Sequence, residues 1–77
     1  MNLHERAVEI EDLLNHYLRN GEASLSNAAI DLGISHTVLM RVARRMQGRG
    51  ELQTRNHISP YGRPELWWSV VRTRKAA

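Results

Sequence analysis

Leu3, Ala7, Ile10, Leu14 and Tyr17 recur at alternating intervals of four and three residues, and Leu13 and Leu18 broaden the stripe. That spacing places them on one side of an α-helix. Asn2 with Glu5 three residues on resembles a capping box, and Asn20-Gly21 supplies a left-handed stop. The first helix is therefore predicted from about Leu3 to Asn20. Its outer face carries Glu5, Glu9 and Asp12, carboxylates that a phosphate backbone would repel. This helix is expected to be scaffold, turned away from any nucleic acid.

After Gly21, the segment Glu22-Ala23-Ser24 is short enough for a minimal strand only, and helical spacing returns at Leu25, Ala28, Ala29 and Leu32. Ser24 is the preferred N-cap of this second helix, with Ser26 the competing choice. Ile30 lies off its apolar face. Gly33 ends the helix because it tolerates positive φ, Ile34 plugs the turn, and Ser35 caps a third helix from about His36 to Gln47. Val38, Leu39, Val42 and Met46 are predicted inward, and Gly48 and Gly50 close the helix. Thr37, Met40, Arg41 and Arg44 fall on the opposite side of the wheel, with Arg45 on the flank.

Beyond Gly50 the period shifts from 3.6 towards 2. Leu52, Thr54, Asn56 and Ile58 share one face of a strand, and Gln53, Arg55 and His57 the other. Ser59-Pro60-Tyr61-Gly62-Arg63-Pro64 is a turn-rich tip, stiffened by its two prolines, after which Leu66, Trp68 and Val70 alternate with Trp67, Ser69 and Val71. That is a β-hairpin. Asn56 and His57 interrupt the apolar character of its first strand, which leaves the length of the pairing open. Successive strand residues point to opposite faces, so only one of Trp67 and Trp68 can fill the core, and Trp68 is the one expected inside.

A chain of 77 residues, read as a single domain over 1–77, buries only about 60% of the surface its unfolded form exposes. That leaves little room for a catalytic cavity of roughly 300 Å³. Without cysteine there is neither a disulfide framework nor a cysteine zinc site. His4, His16, His36 and His57 are too widely spaced to suggest a metal, and no nucleophile, phosphate-loop or dinucleotide fingerprint occurs. The expectation is a binding protein without cofactor or metal, not an enzyme. No apolar run approaches the roughly 20 residues of a membrane span, and the N-terminus lacks a leader pattern. A soluble cytoplasmic protein is expected.

Charge changes the picture most. Residues 1–38 carry two basic and six acidic side chains, whereas residues 39–77 carry nine basic and two acidic ones. The asymmetry points the second half at a polyanion, against the plainer alternative of a solvated basic face. The tail 72–77 is basic and is expected to fray.

The stretch Ala29-Ile30-Asp31-Leu32-Gly33-Ile34-Ser35, with Leu39 and Val42 following, resembles the core of the helix-turn-helix motif. Ala29 stands where that family places a small residue four before the turn glycine. With the first helix and the hairpin added, nearly the whole chain resembles the winged-helix class, and within it the compact regulators of bacteria, plasmids and bacteriophages. The resemblance implies an α+β, mostly helical fold: a three-helix helix-turn-helix core with a C-terminal β-hairpin wing.

It also implies a partner and a surface. If the third helix enters the major groove of double-stranded DNA, Thr37, Arg41 and Arg44 point outward with suitable chemistry, Met40 shares their side, and His36 near the N-terminus can reach a base or phosphate. Arg41 is the first choice for base contact, since arginine bonds bidentately to guanine. Arg63 at the hairpin tip suits a minor groove or a phosphate, and Arg55 contributes along the strand. Arg45, Arg49, Arg72, Arg74 and Lys75 would add sequence-independent attraction. The implied role is sequence-specific DNA binding in transcription control, as monomer or homodimer. The competing readings are a winged-helix module that binds another protein through the acidic first helix and an exposed tryptophan, and an architectural factor in recombination, replication or packaging.

Overall fold

The computed structural model describes residues 3–71, with side chains from residue 6 onward. The expectations for the tail 72–77 lie outside the described residues. Helix α1 spans Leu3–Arg19, strand β1 Ala23–Ser24, helix α2 Leu25–Leu32, helix α3 His36–Gly48, strand β2 Leu52–Ile58 and strand β3 Pro64–Val70. The three strands form one antiparallel sheet in the order β1-β3-β2. The fold is α+β, compatible with a helix-turn-helix followed by a hairpin.

Local chemistry fixes the element ends. The Ser24 side chain accepts a hydrogen bond from the Asn27 amide at 3.2 Å, capping α2, so Ser24 and not Ser26 takes that role. Gly33 adopts φ 67°, and the amides of Gly33 and Ile34 donate back to the carbonyls of Ile30 and Ala29. The same pair of bonds recurs where Gly50 (φ 78°) and Glu51 donate to Gln47 and Met46. Both helices thus end in a Schellman motif with glycine in the left-handed position. Gly48, expected to help close α3, is instead its last helical residue. Ser35 occupies the N-cap of α3, but its hydroxyl makes no capping bond.

The core gathers Leu14 and Leu18 of α1, Leu25, Ala28 and Ala29 of α2, Leu39, Val42, Ala43 and Met46 of α3, and Leu52 and Trp68 of the sheet. Small residues on α2 and α3 allow the two helices to approach closely. Trp68 is 1% exposed and is among the largest fully buried side chains, as the strand alternation required. It pairs across to Thr54 on one side and Ala23 on the other, so the short β1 closes the sheet over it. Asn56 and His57 do not shorten the hairpin: β2 and β3 remain in register from Leu52↔Val70 to Ile58↔Pro64. Backbone pairing does not need apolar side chains at the solvated end of a ribbon.

Two inward expectations are corrected. Val38 is 41% exposed and Leu13 43% exposed, and both line an open groove between α1 and α3. Met40, expected on the outer side, is half-buried and packs against the core, since its phase turns it from the outer centre of α3 towards β3.

Candidate nucleic-acid interface

Thr37, Arg41 and Arg44 succeed one another at intervals of four and three along α3, so they stack on one face, and all three are exposed. Arg45 is exposed on the flank towards α1, and His36 is exposed at the N-terminus of α3. The whole of α3 contains no acidic residue. His36 and Met40 border a hollow of about 320 Å³ shared with Leu66, Trp68 and the start of α2, so the half-buried Met40 forms a wall there and is withdrawn from the outer face.

Two further arginines expected to contact DNA, Arg49 by sequence-independent attraction and Arg55 along the strand, pair with carboxylates of the protein. Arg49 pairs with Glu11 of α1 and, at 2.6 Å, with Glu51, which ties α1 to the α3–β2 turn. Arg55 belongs to the sheet face opposite the helices, along with Gln53 and His57, because strand alternation puts it there. It holds Glu22 through Nε at 2.7 Å and a second guanidinium nitrogen, and lies 5.5 Å above the Trp67 ring. These guanidiniums hold the carboxyls of Glu51 and Glu22 below the usual carboxylate range. Both arginines are correspondingly held in the charged form. The structure places neither Arg49 nor Arg55 on the outer face of α3, and both side chains stand in surface ion pairs.

The remaining polar groups follow the same rule. Tyr17 belongs to the apolar stripe of α1, and its hydroxyl also donates to Asp31 at 2.5 Å, which joins α1 to α2. That hydrogen bond, with burial and the Asp31 charge, pushes the phenol above its usual value. Trp67 donates its indole N–H to Glu65 at 3.1 Å and packs against the His57 ring with centroids 4.2 Å apart. The outward tryptophan is thus covered by its own sheet. Among the described residues, every ion pair involves Arg49 or Arg55, whereas Arg41, Arg44, Arg45 and Arg63 have none.

Arg63 lies exposed at the hairpin tip, where its backbone is fixed on both sides. Its amide donates to the Ser59 hydroxyl at 3.1 Å and its carbonyl accepts from the Ser59 amide at 2.9 Å. Gly62 (φ 78°) donates to the Ser59 carbonyl, so Pro60 occupies the turn position that favours its fixed φ. Tyr61, passed over as a turn residue, is 92% exposed beside Arg63. Its place between Pro60 and Gly62 was the signal that it projects.

Acidic α1 is not entirely remote from this surface. Glu9 borders the open groove of about 670 Å³ that also touches Arg41 and Arg45, so the expectation that α1 faces wholly away is corrected for this one carboxylate. The groove is open and not an interior void, so it leaves the expectation of a small interior untouched. Among the described residues there is no group of three side chains that could hold a metal and no helix long and apolar enough to cross a membrane. Comparison with known proteins finds no family model that matches the chain and no curated protein similar to it.

Proposed function

We propose that this chain is a winged helix-turn-helix protein that binds double-stranded DNA, with α3 in the major groove and the β2–β3 hairpin as the wing, and that it regulates transcription. One observation carries the reading. The outer face of α3 presents Thr37, Arg41, Arg44 and Arg45 without an acidic partner among the described residues, while Arg49 and Arg55 are engaged by carboxylates. A cationic helix face fits a major groove about 12 Å wide, where an arginine can bond guanine bidentately. Arg41, central on that face, is the base reader. Arg44, Arg45 and Arg63 meet phosphates, and His36 and Thr37 lie where the N-terminal residues of a recognition helix approach the duplex.

The role is binding rather than catalysis, and it needs no cofactor. Two copies on half-sites about 34–36 Å apart would multiply specificity, which makes a homodimer on DNA the natural working form. The architectural alternative uses the same surface. The test is titration of a labelled duplex, bearing sequence from beside the protein's own gene, at several salt concentrations. Tight, salt-dependent binding with a protected footprint is expected, and no measurable affinity at low salt would refute the reading.

A further inference from the structure

Val38 and Leu13 sit at helical phases that normally face a core, yet each is about two-fifths exposed and no described element covers them. They face one another across the groove between α1 and α3, whose floor is completed by Ile10, Ile34 and Val42. The groove follows α1 from Arg6 to Leu13, a length of about 10 Å or two helical turns. Among the described residues its rim carries Arg6, Arg41 and Arg45 and one carboxylate, Glu9. None of these three arginines is in an ion pair among the described residues.

We infer that this groove docks an acidic amphipathic helix of another protein, and that docking excludes DNA. The apolar floor calls for a short stripe of aliphatic anchors at i, i+3, i+4 and i+7. The arginine rim calls for carboxylates flanking that stripe, which pair with the guanidiniums in bidentate fashion. A duplex supplies the negative charge but no apolar ridge for the floor. A small amphipathic acid would remain largely in water, because the groove is open along its length. Arg41 and Arg45 belong both to this rim and to the DNA-binding face proposed above, so the two partners compete for the same guanidiniums. The exclusion rests on that proposal, whereas the docking does not.

The test uses a fluorescein-labelled, end-capped 14-residue synthetic helix with a leucine stripe flanked by glutamates. Two controls accompany it: a scramble of the same composition that breaks the stripe, and a version with lysines in place of the glutamates. Anisotropy with the full chain should show saturable binding of the first peptide at least about tenfold tighter than either control, a difference of about 1.4 kcal/mol. Leu13→Ser and Val38→Ser should each weaken it severalfold with unchanged circular dichroism, and Glu9→Gln should strengthen it. Leu13→Ser should leave duplex affinity unaltered, and the peptide should displace a bound duplex from the unmodified chain. Equal binding of the scramble, or no binding up to about 1 mM, overturns the inference. So does sedimentation showing a dimer that Leu13→Ser abolishes, since a second copy is then the occupant. Peptide binding without displacement of a bound duplex overturns the exclusion. If the peptide binds as expected but no duplex does, the DNA reading and the exclusion fail together and the docking stands.

Discussion

Replacing single arginines and reading the salt dependence of duplex binding tests which of them meet phosphate in the proposed complex. Each neutralised phosphate contributes a slope of about −0.9 to log K against log salt. With Arg44, Arg45 and Arg63 on phosphates, their joint slope is about −2.7, a loss of about 40-fold in affinity between 50 and 200 mM salt. Arg44→Ala, Arg45→Ala or Arg63→Ala should lower the slope by about 0.9, so that the loss due to this set becomes about 12-fold. Arg49→Ala and Arg55→Ala should leave the slope unchanged, because Glu11, Glu51 and Glu22 already hold those guanidiniums. If both were on phosphates as well, the joint slope would be about −4.5 and the loss about 500-fold. Basic residues beyond Val71 add equally to every variant and cancel in the difference. The assay is fluorescence anisotropy on one duplex at five or more salt concentrations, with circular dichroism confirming that each variant is folded. A slope that falls with Arg49→Ala or Arg55→Ala as much as with Arg44→Ala would refute the assignment.

Three further outcomes are expected. Trp68→Ala removes a fully buried indole and should cost about 3–5 kcal/mol in urea melts, whereas Trp67→Ala, which loses chiefly its packing against His57, should cost about 1 kcal/mol. Arg41→Ala should erase about 1–3 kcal/mol of discrimination between a preferred site and a scrambled duplex at fixed salt, while Arg63→Ala should weaken both equally. Stability should fall at both pH extremes: the depressed Glu22 and Glu51 carboxyls stabilise the fold above their ordinary value of 4.5 and lose that contribution as acid protonates them, which Glu22→Gln with Glu51→Gln should blunt. At the alkaline end, Tyr17 stabilises below its ordinary value of 10.0 and loses its hydrogen bond to Asp31 as pH rises past it, so Tyr17→Phe should flatten that limb of the urea-midpoint profile.

Periodicity and punctuation carried most of the fold. The spacing of three and four that set α1 also selected Leu14 and Leu18, and the residues with special backbone roles, Ser24, Gly33 and Gly50, mark boundaries within one or two positions of where they occur. Period two was equally informative in the hairpin, where it decided which tryptophan is buried. Its failures share a cause. A helical wheel gives a side chain's direction but not whether another element lies there to meet it, so Val38 and Leu13 were placed correctly in angle and wrongly in burial. Met40 failed in the reverse sense, because it packs against the core cluster although its angle on α3 alone looked outward.

The candidate surface was legible to the extent that it is local. Thr37, Arg41 and Arg44 lie within one helix, so their common face follows from spacing alone. Arg49 and Arg55 have the same chemistry and lie in the same basic half of the chain, but their partners stand 38 and 33 residues away, at Glu11 and Glu22. Those pairs form only once α1 has packed beside α3 and β1 beside β3. Three of the six acidic residues of the first half therefore do more than offset the net charge. Glu11 and Glu22 engage two arginines that the charge count alone would assign to a polyanion, while Asp31 is held by Tyr17. Among the described residues, the cationic side chains of the second half that stand outside ion pairs lie on α3 and at the hairpin tip. Under the proposed DNA reading, such a narrowing would favour register over bulk attraction: fewer phosphates would be met, at fixed places about α3, and a larger share of the affinity would depend on where Arg41 falls along the duplex.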